Sequence, residues 1–402
     1  MSGIFDGIKV ADFTHFGIGP MTGRYLADHG ATVVHVESAT RPDSVRTSPP
    51  FRDGAVGLNR GGFFASLNTS KMGLSLNLKT ERGVELAKKL AAWADVVVEN
   101  FAPGVMVRMG LGYDDIIKVN PALVMISLTN LGQTGPYAGH PGTGTVAQAV
   151  AGLVHGMGWP DRGPVTPFGA IPDFVAPYFG ALAVSAALDQ RRRTGKGQYI
   201  DLSQFEISSW LIAPVILDRI ANDREAVRMG NRDPHFTPHG AFPCQGDDRW
   251  LTIACTTDAE WQSLCQIMGR PELASDPSFA TLKARQDNED ELERTISTWT
   301  RERSAHDTMH LLQRAGVPAG VVEDMAEIYQ DPQLEHRQHF PLVDHPEIGP
   351  HRPQGHGVRF SETPSEIKRA PLVGEHNEEV IRGLLGLSEE EYVNLALERV
   401  IE

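Results

Sequence analysis

Short apolar runs alternate with helix-like segments through the first third of this chain, and few folds accommodate that alternation. Residues 8–14 (IKVADFT) are β-like, 20–29 have helical spacing, and 32–37 (TVVHVE) form a second strand pattern. In 81–94 (ERGVELAKKLAAWA), Val84, Ala87, Leu90 and Ala91 fall on one helical face. Residues 95–99 (DVVVE) and 123–128 (LVMISL) are short and continuously apolar, as strands buried on both faces of a parallel sheet are. Strand alternating with helix predicts a doubly wound α/β sheet. Residues 38–66 carry Pro, Gly and Arg without a period and read as a long loop.

The 402 residues exceed one ordinary core, so two domains are expected. The pattern changes near residue 220, where 222–233 is polar and irregular, a linker. A strand at 250–254 follows, then helix-like segments near 258–268, 282–301 and 304–314, and a strand at 319–322. These describe a smaller α+β domain over 225–330. Residues 345–349 (HPEIG) are hairpin-like, and Ser388 with Glu391 forms a capping box for a last helix.

A formal charge of −14 opposes binding to nucleic acid or an anionic membrane. The N-terminus lacks a basic region leading into an apolar run, and the apolar stretch 174–188 is too short to span a bilayer. Cys244, Cys255 and Cys265 form no CxxC, the paired cysteines that a structural zinc site of the finger type needs. A reduced, cytoplasmic protein without a metal site is the expectation.

Several motifs carry two readings. Gly17, Gly19 and Gly23 between a strand and a helix, with Glu37 ending the next strand, form either a dinucleotide cradle or a tight β–α turn. An ADP-like group on such a cradle fits coenzyme A as well as NAD. Asn100-Phe101-Ala102-Pro103-Gly104 follows a strand, and Arg108 soon after is either a phosphate clamp or a solvated arginine. Lys71 and Lys79 flank a strand-like segment as ordinary surface charges. The loop 132–137 (GQTGPY) is either a turn or a source of oxyanion-stabilising N–H groups. Asp173 opens a helix-like apolar stretch, where a carboxylate is either an N-cap or a nucleophile. No G-x-S-x-G elbow or P-loop occurs.

Taken in order, VADFTHFGIGPMTGRYLADHGATVVHVE, ENFAPGVMVRMG, ISLTNLGQTGPYAGHPG and RRRTGKGQYIDLS resemble the class III CoA-transferase family (the CaiB/BaiF type). MGNRDPHFTPHGAF, RAGVPAGVVEDMAEIYQDPQ and APLVGEHNEEVI extend the likeness over nearly the whole chain. The resemblance implies a Rossmann-like large domain formed by both chain ends (1–215 and 335–402), a smaller α+β domain between, and an interlocked dimer. It implies Asp173 as nucleophile and coenzyme A contacts at Leu76, Lys79, Asn100, Phe101, Arg108 and Met109. His15, Gly17 and Gly135 are candidates for the substrate and oxyanion region. Coenzyme A is then a substrate and no permanent cofactor is implied. The partners are an acyl-CoA donor and a carboxylic-acid acceptor, in a homodimer or a pair with a related subunit.

Oxalate-type formyl-CoA transferases of the family resemble this chain but carry glutamine at the place of Gly17 and glycines where 231–240 reads NRDPHFTPHG. A wider pocket for a bulkier acid follows as an expectation. The 2-methylacyl-CoA racemases of the family use a His-Asp pair, and their histidine falls on Thr143 here, with His140 three residues early. Threonine is no general base near neutral pH, so transfer is favoured over racemisation. Two other readings are a nicotinamide-dependent dehydrogenase, which leaves RRRTGKGQ unexplained, and a non-catalytic CoA-binding subunit, which leaves Asp173 unexplained.

Overall fold

The computed structural model describes residues 3–402, which divide into two compact units. The larger takes the described residues up to 154, then 166–225 and 335–402; the smaller takes 155–165 and 226–334. Residues 155–165 therefore group with the smaller unit, although they lie inside the stretch expected for the large domain.

The larger unit holds β1 (Lys9–Phe13), β2 (Thr32–Glu37), β3 (Met72–Ser75), β4 (Val96–Glu99), β5 (Val124–Thr129) and β6 (Gln198–Ser203). They form one sheet in the order β3-β2-β1-β4-β5-β6, every neighbouring pair parallel. Its helices include α1 (Ile18–Asp28), α2 (Glu81–Trp93), α3 (Gly144–Val150), α4 (Ile171–Thr194), α5 (Gln204–Leu211) and α6 (Ala213–Asn222).

Both faces of the sheet are covered, which is why its strands read as continuous apolar runs. Val10, Val33, Val96 and Ile126 pack with Leu26 of α1 and Ala176 and Val184 of α4. Ala11, Val34, Val97 and Met125 pack with Leu86 and Leu90 of α2 and with Val380, Ile381, Leu395, Val400 and Ile401. The last five belong to the returning C-terminal segment, so both chain ends build one core.

Helix α4, with 24 residues, outruns the 174–188 stretch and by length and composition alone could cross a membrane. In this fold it lies along α1 and β5, with Pro177 and Gly180 buried.

The strand order reverses between β1 and β4, and the crevice beyond the carboxyl ends of such a pair is where open α/β sheets hold ligands. Asn100, just past β4, clasps His15, just past β1. Its Oδ1 accepts from the His15 N–H at 2.9 Å, and its Nδ2 donates to the His15 carbonyl at 2.6 Å.

The smaller unit has a three-stranded antiparallel sheet of β7 (His239–Pro243), β8 (Trp250–Ala254) and β9 (Ala319–Val321). Helices α7 (Asp258–Ile267), α8 (Glu289–Thr300) and α9 (Ala305–Arg314) close a core around Trp261, Leu264, Ile296 and Leu312. The three cysteines are buried there and unpaired, and burial pushes the Cys255 and Cys265 thiols up to about 12, outside the range of reactive thiolates. In the larger unit, Ser388 and Glu391 form a capping box on α10 (Glu389–Leu397), as their spacing predicts.

Candidate active site

A cavity of about 850 Å³ opens at the switch point. It brings together Leu76, Lys79, Asn100, Phe101, Met109, His15, Gly17 and Asp173, residues far apart in sequence. Lys79 and Arg41 are both exposed on its wall, and neither side chain makes an ion pair among the described residues. A second cavity of about 410 Å³ is lined chiefly by Phe16, Phe63, Leu67, Pro167 and Phe174, with Thr143, Thr145 and Thr166. The two share Phe16, Gly17, Thr143 and Asp173, so the Asp173 carboxylate stands on their common wall.

Asp173 lies in the first turn of α4 but does not cap it. Ala170 is the N-cap residue and the helix has no side-chain cap, which settles the N-cap reading against. The carboxylate instead sits between two glycines. A Cβ on Gly17 would meet its Cβ at 3.4 Å, and a Cβ on Gly144 would come within 2.5 Å of its Oδ1 and 2.8 Å of its Oδ2. Gln204, in the first turn of α5, donates its Nε2–H to Oδ1 at 2.5 Å. Burial raises the Asp173 pKa above the ordinary carboxylate range, and the Gln204 hydrogen bond opposes that rise.

The segment between β1 and α1 is held in a costly conformation. Phe16 has φ of +73°, rare for a bulky residue, and its N–H is fixed by both oxygens of Asp43 at 3.0 and 3.1 Å. Beside it, burial lowers the pKa of His15, whose ring lies 5.9 Å from that of Phe101.

Other expectations need correction. Glu37 borders the cavity, but its carboxylate is taken by Arg46, whose Nη2 and Nε reach it at 2.6 and 2.8 Å, so it is not available to a ribose. Gly19 and Gly23 serve helix–sheet approach instead of a pyrophosphate. A Cβ on Gly19 would collide with Thr14, and one on Gly23 would reach Asp12 Oδ2 at 2.8 Å. Lys71 is buried, donating to Asp12 at 2.7 Å, to Asn68 at 2.8 Å and to the Pro20 carbonyl at 2.9 Å. Burial pushes the Asp12 carboxyl up, yet Lys71 and His35 outweigh it and hold it at about 2. Lys79 is exposed as expected.

Arg108 is exposed and does not line the cavity; its guanidinium lies back over Gly104. Gly135 also stands outside, and the Gln133 N–H of its loop is engaged by the Asp201 carboxylate at 3.0 Å. The wall there is built by 138–144 instead. Sequence reasoning missed Arg41, Gln204, Gly144 and the second cavity. The one available signal was a polar Gln204 directly after the strand QYIDLS. Thr143 begins α3 as its N-cap residue, and His140 lines the larger cavity. Among the described residues, no group of three His, Cys, Asp or Glu side chains is arranged to hold a metal ion.

Residues 5–377 match CoA-transferase family III. The chain is 34% identical over 397 residues to the succinyl-CoA–D-citramalate CoA-transferase of Chloroflexus aurantiacus, covering 98% of each. It is 35% identical over 337 residues to the acetyl-CoA:oxalate CoA-transferase of Acetobacter aceti, covering 83% of this chain and 85% of that one. The crystal structure of a CAIB/BAIF family protein from Brucella suis superposes with a TM-score of 0.87 at 32% identity, over 96% of this chain and 100% of the other.

Proposed function

The chain belongs to CoA-transferase family III, and on that premise we propose that Asp173 is the covalent nucleophile through which coenzyme A passes from an acyl-CoA to a free acid. The reading is carried by one observation: the Asp173 carboxylate stands on the wall shared by two cavities. The larger takes coenzyme A, with Lys79 and Arg41 as cations for the phosphates and Leu76, Phe101 and Met109 as apolar contacts. The smaller takes the body of the acyl group.

Asp173 attacks the donor's thioester carbonyl, and the C–S bond breaks to give a mixed anhydride and CoA thiolate. The thiolate adds to Cγ of Asp173 and expels the donor acid, leaving an aspartyl-CoA thioester. The acceptor carboxylate then displaces the thiolate to form a second anhydride. Thiolate attack on the acceptor's carbonyl releases the new acyl-CoA and restores the aspartate. An anhydride hydrolyses in water, so the reaction requires a closed site while it exists.

Phe63, Leu67, Pro167 and Phe174 supply apolar surface to an acid with a hydrocarbon body, which oxalate lacks. Thr143 at the racemase histidine's place has no basic group to move a proton from carbon. A homodimer is part of this proposal. Trp210, Leu217 and Ile220 on α5 and α6 are 63, 62 and 75% exposed, an apolar patch of the kind that a second subunit covers.

The test is intact and peptide mass spectrometry after incubation with succinyl-CoA and hydroxylamine, followed by a panel of acceptor acids. A hydroxamate on Asp173, absent in Asp173→Ala, is expected, with oxalate among the poor acceptors. An unmodified Asp173 in protein that still binds coenzyme A overturns the nucleophile, and oxalate as the best acceptor overturns the acyl-site reading.

A further inference from the structure

We propose that Gln204 is a catalytic residue: its side-chain N–H is the oxyanion donor for every attack made on the carbonyl carbon of Asp173. This inference rests on the aspartyl mechanism above and assigns a function to a residue that the mechanism leaves unused.

The geometry restricts what Gln204 can do. Its side chain is 1% exposed, in the first turn of α5, directly after β6. Its backbone is fixed as well, since the Gln204 carbonyl accepts from the Ser208 hydroxyl at 2.7 Å and the next N–H is held by the Asn130 carbonyl at 2.8 Å. The Nε2–Oδ1 distance is 2.5 Å. Only the amide nitrogen can face a carboxylate favourably, because the amide oxygen would set acceptor against acceptor. Gln204 therefore marks one oxygen of Asp173 and leaves the other free.

The two oxygens are chemically equivalent until that bond is made. Oδ2, without this donor, forms the bond to the donor's acyl carbon, and Oδ1 becomes the carbonyl oxygen of the anhydride. When CoA thiolate adds to Cγ, a C–S bond forms, the electron pair of the C=O moves onto Oδ1, and the anhydride C–O bond then breaks to release the donor carboxylate. The acceptor carboxylate repeats this on the thioester, where a C–O bond forms and the C–S bond breaks. In both additions negative charge develops on Oδ1, where Gln204 Nε2–H already points. A donor fixed in place before the charge appears needs no reorganisation and stabilises the addition more than the resting state. The first and last attacks occur on substrate carbonyls, which Gln204 does not touch.

The titratable groups on the surrounding walls are His15 after β1, His140 before α3, Lys79 and Arg41 on the larger cavity, and Glu37 held by Arg46. Among the described residues, Asp173 has no cation against it and Gln204 is its one side-chain donor, whose bond opposes the effect of burial.

The experiment compares wild type, Gln204→Met and Gln204→Glu by steady-state kinetics over pH and by mass spectrometry during turnover, with folding checked by circular dichroism. In Gln204→Met, kcat falls by about 10²- to 10³-fold, the loss typical of one oxyanion donor. Covalently modified Asp173 accumulates in this variant, because its formation is spared more than its breakdown. The acid limb of kcat/KM also moves to higher pH. Gln204→Glu is nearly isosteric and provides a second test where the methionine variant folds poorly. Its protonated carboxyl can still donate, so its activity falls as pH rises, the reverse of the wild-type acid limb.

A folded Gln204→Met with kcat within threefold of wild type overturns the inference. So does a Gln204→Glu profile of wild-type shape. So does a loss of Asp173 labelling in step with turnover, since a merely structural glutamine would produce that. Failure of wild type itself to label at Asp173 would instead remove the nucleophile reading, which separates the two claims.

Discussion

Around Asp173 the decisive residues are the two that have no side chain. Gly144 leaves room that a Cβ would occupy within 2.5 Å of Oδ1, and the obstructing atoms are those of a half-buried carboxylate that cannot swing aside without losing Gln204. Gly17 lies on the other side, where a Cβ would make ordinary contacts of 3.4 to 3.7 Å. Neither has a positive φ, so alanine meets no left-handed backbone penalty at either place. Gly144 is moreover the first residue of α3, and alanine is a better helix former than glycine. Gly144→Ala should therefore lower kcat by about 10²-fold, the scale of an ångström misplacement of a reacting group, while the melting temperature changes little, the helix gain offsetting the disturbed Gln204 bond. Gly17→Ala should stay within about fivefold of wild type, its contacts being ordinary ones. Measuring both variants for melting and turnover separates space at the carboxylate from glycine's flexibility. Full activity in Gly144→Ala would refute the wedge.

At the scale of elements, β1, β2 and β3 are joined by more than their ladders. Lys71, one residue before β3, reaches past β2 to Asp12 in β1, a partner 59 residues away, and α1 approaches the pair at Gly23. Lys71→Met leaves Asp12 buried with His35 and Thr14 as its remaining partners among the described residues, which should cost about 3–5 kcal/mol in urea denaturation at pH 7. The acid dependence follows from Asp12 being held at about 2 against an ordinary 3.8. A carboxyl depressed by folding contributes stability that is complete above the unfolded value and is lost as pH falls through the folded one. The wild-type contribution should thus fade between about pH 4 and pH 2, and most of that dependence should be missing in the variant. A Lys71→Met protein as stable as wild type would make the pair ornamental. This pair also shows where sequence reading stops. DVVVE and TVVHVE announce buried strands because burial on two faces demands unbroken apolar residues, and β2 and β4 lie within those runs. Nothing local distinguishes Lys71, fully buried, from Lys79, exposed, because their environments come from chain that arrives from elsewhere. Arg108 and Gly135 lie outside the cavity lining for the same reason: spacing puts a residue near a turn without saying which way the turn faces. The helix expected over 282–301 is two, broken where the Asn288 side chain donates to the Ser278 and Ala284 carbonyls at 3.2 and 3.0 Å.

For the whole molecule, the larger cavity depends on residues 400–402 as much as on the first hundred. Ile401 bridges to Leu76, the Asn77 N–H is held by the Val400 carbonyl at 2.8 Å, and the Glu402 carboxylate takes the Ser38 hydroxyl at 2.9 Å and the Thr40 N–H at 3.0 Å. Leu76, Ser38, Thr40 and Arg41 all line the cavity, so residues 400–402 support the end of it where the proposal puts the coenzyme A phosphates. Asp173, Gly144 and Gln204 make none of these contacts. Deleting residues 399–402 should therefore divide the two functions of the site. Val400 and Ile401 are 1 and 4% exposed, and losing two such side chains should lower stability by about 3 kcal/mol or more on transfer values. With Leu76 and the 38–41 segment unsupported, KM for acyl-CoA should rise at least about tenfold while kcat changes by less than about threefold, the pattern of lost binding that does not grow in the transition state. A truncated protein that keeps its KM but loses kcat would mean that the C-terminus acts on Asp173 instead, and would redraw the boundary between coenzyme A binding and chemistry.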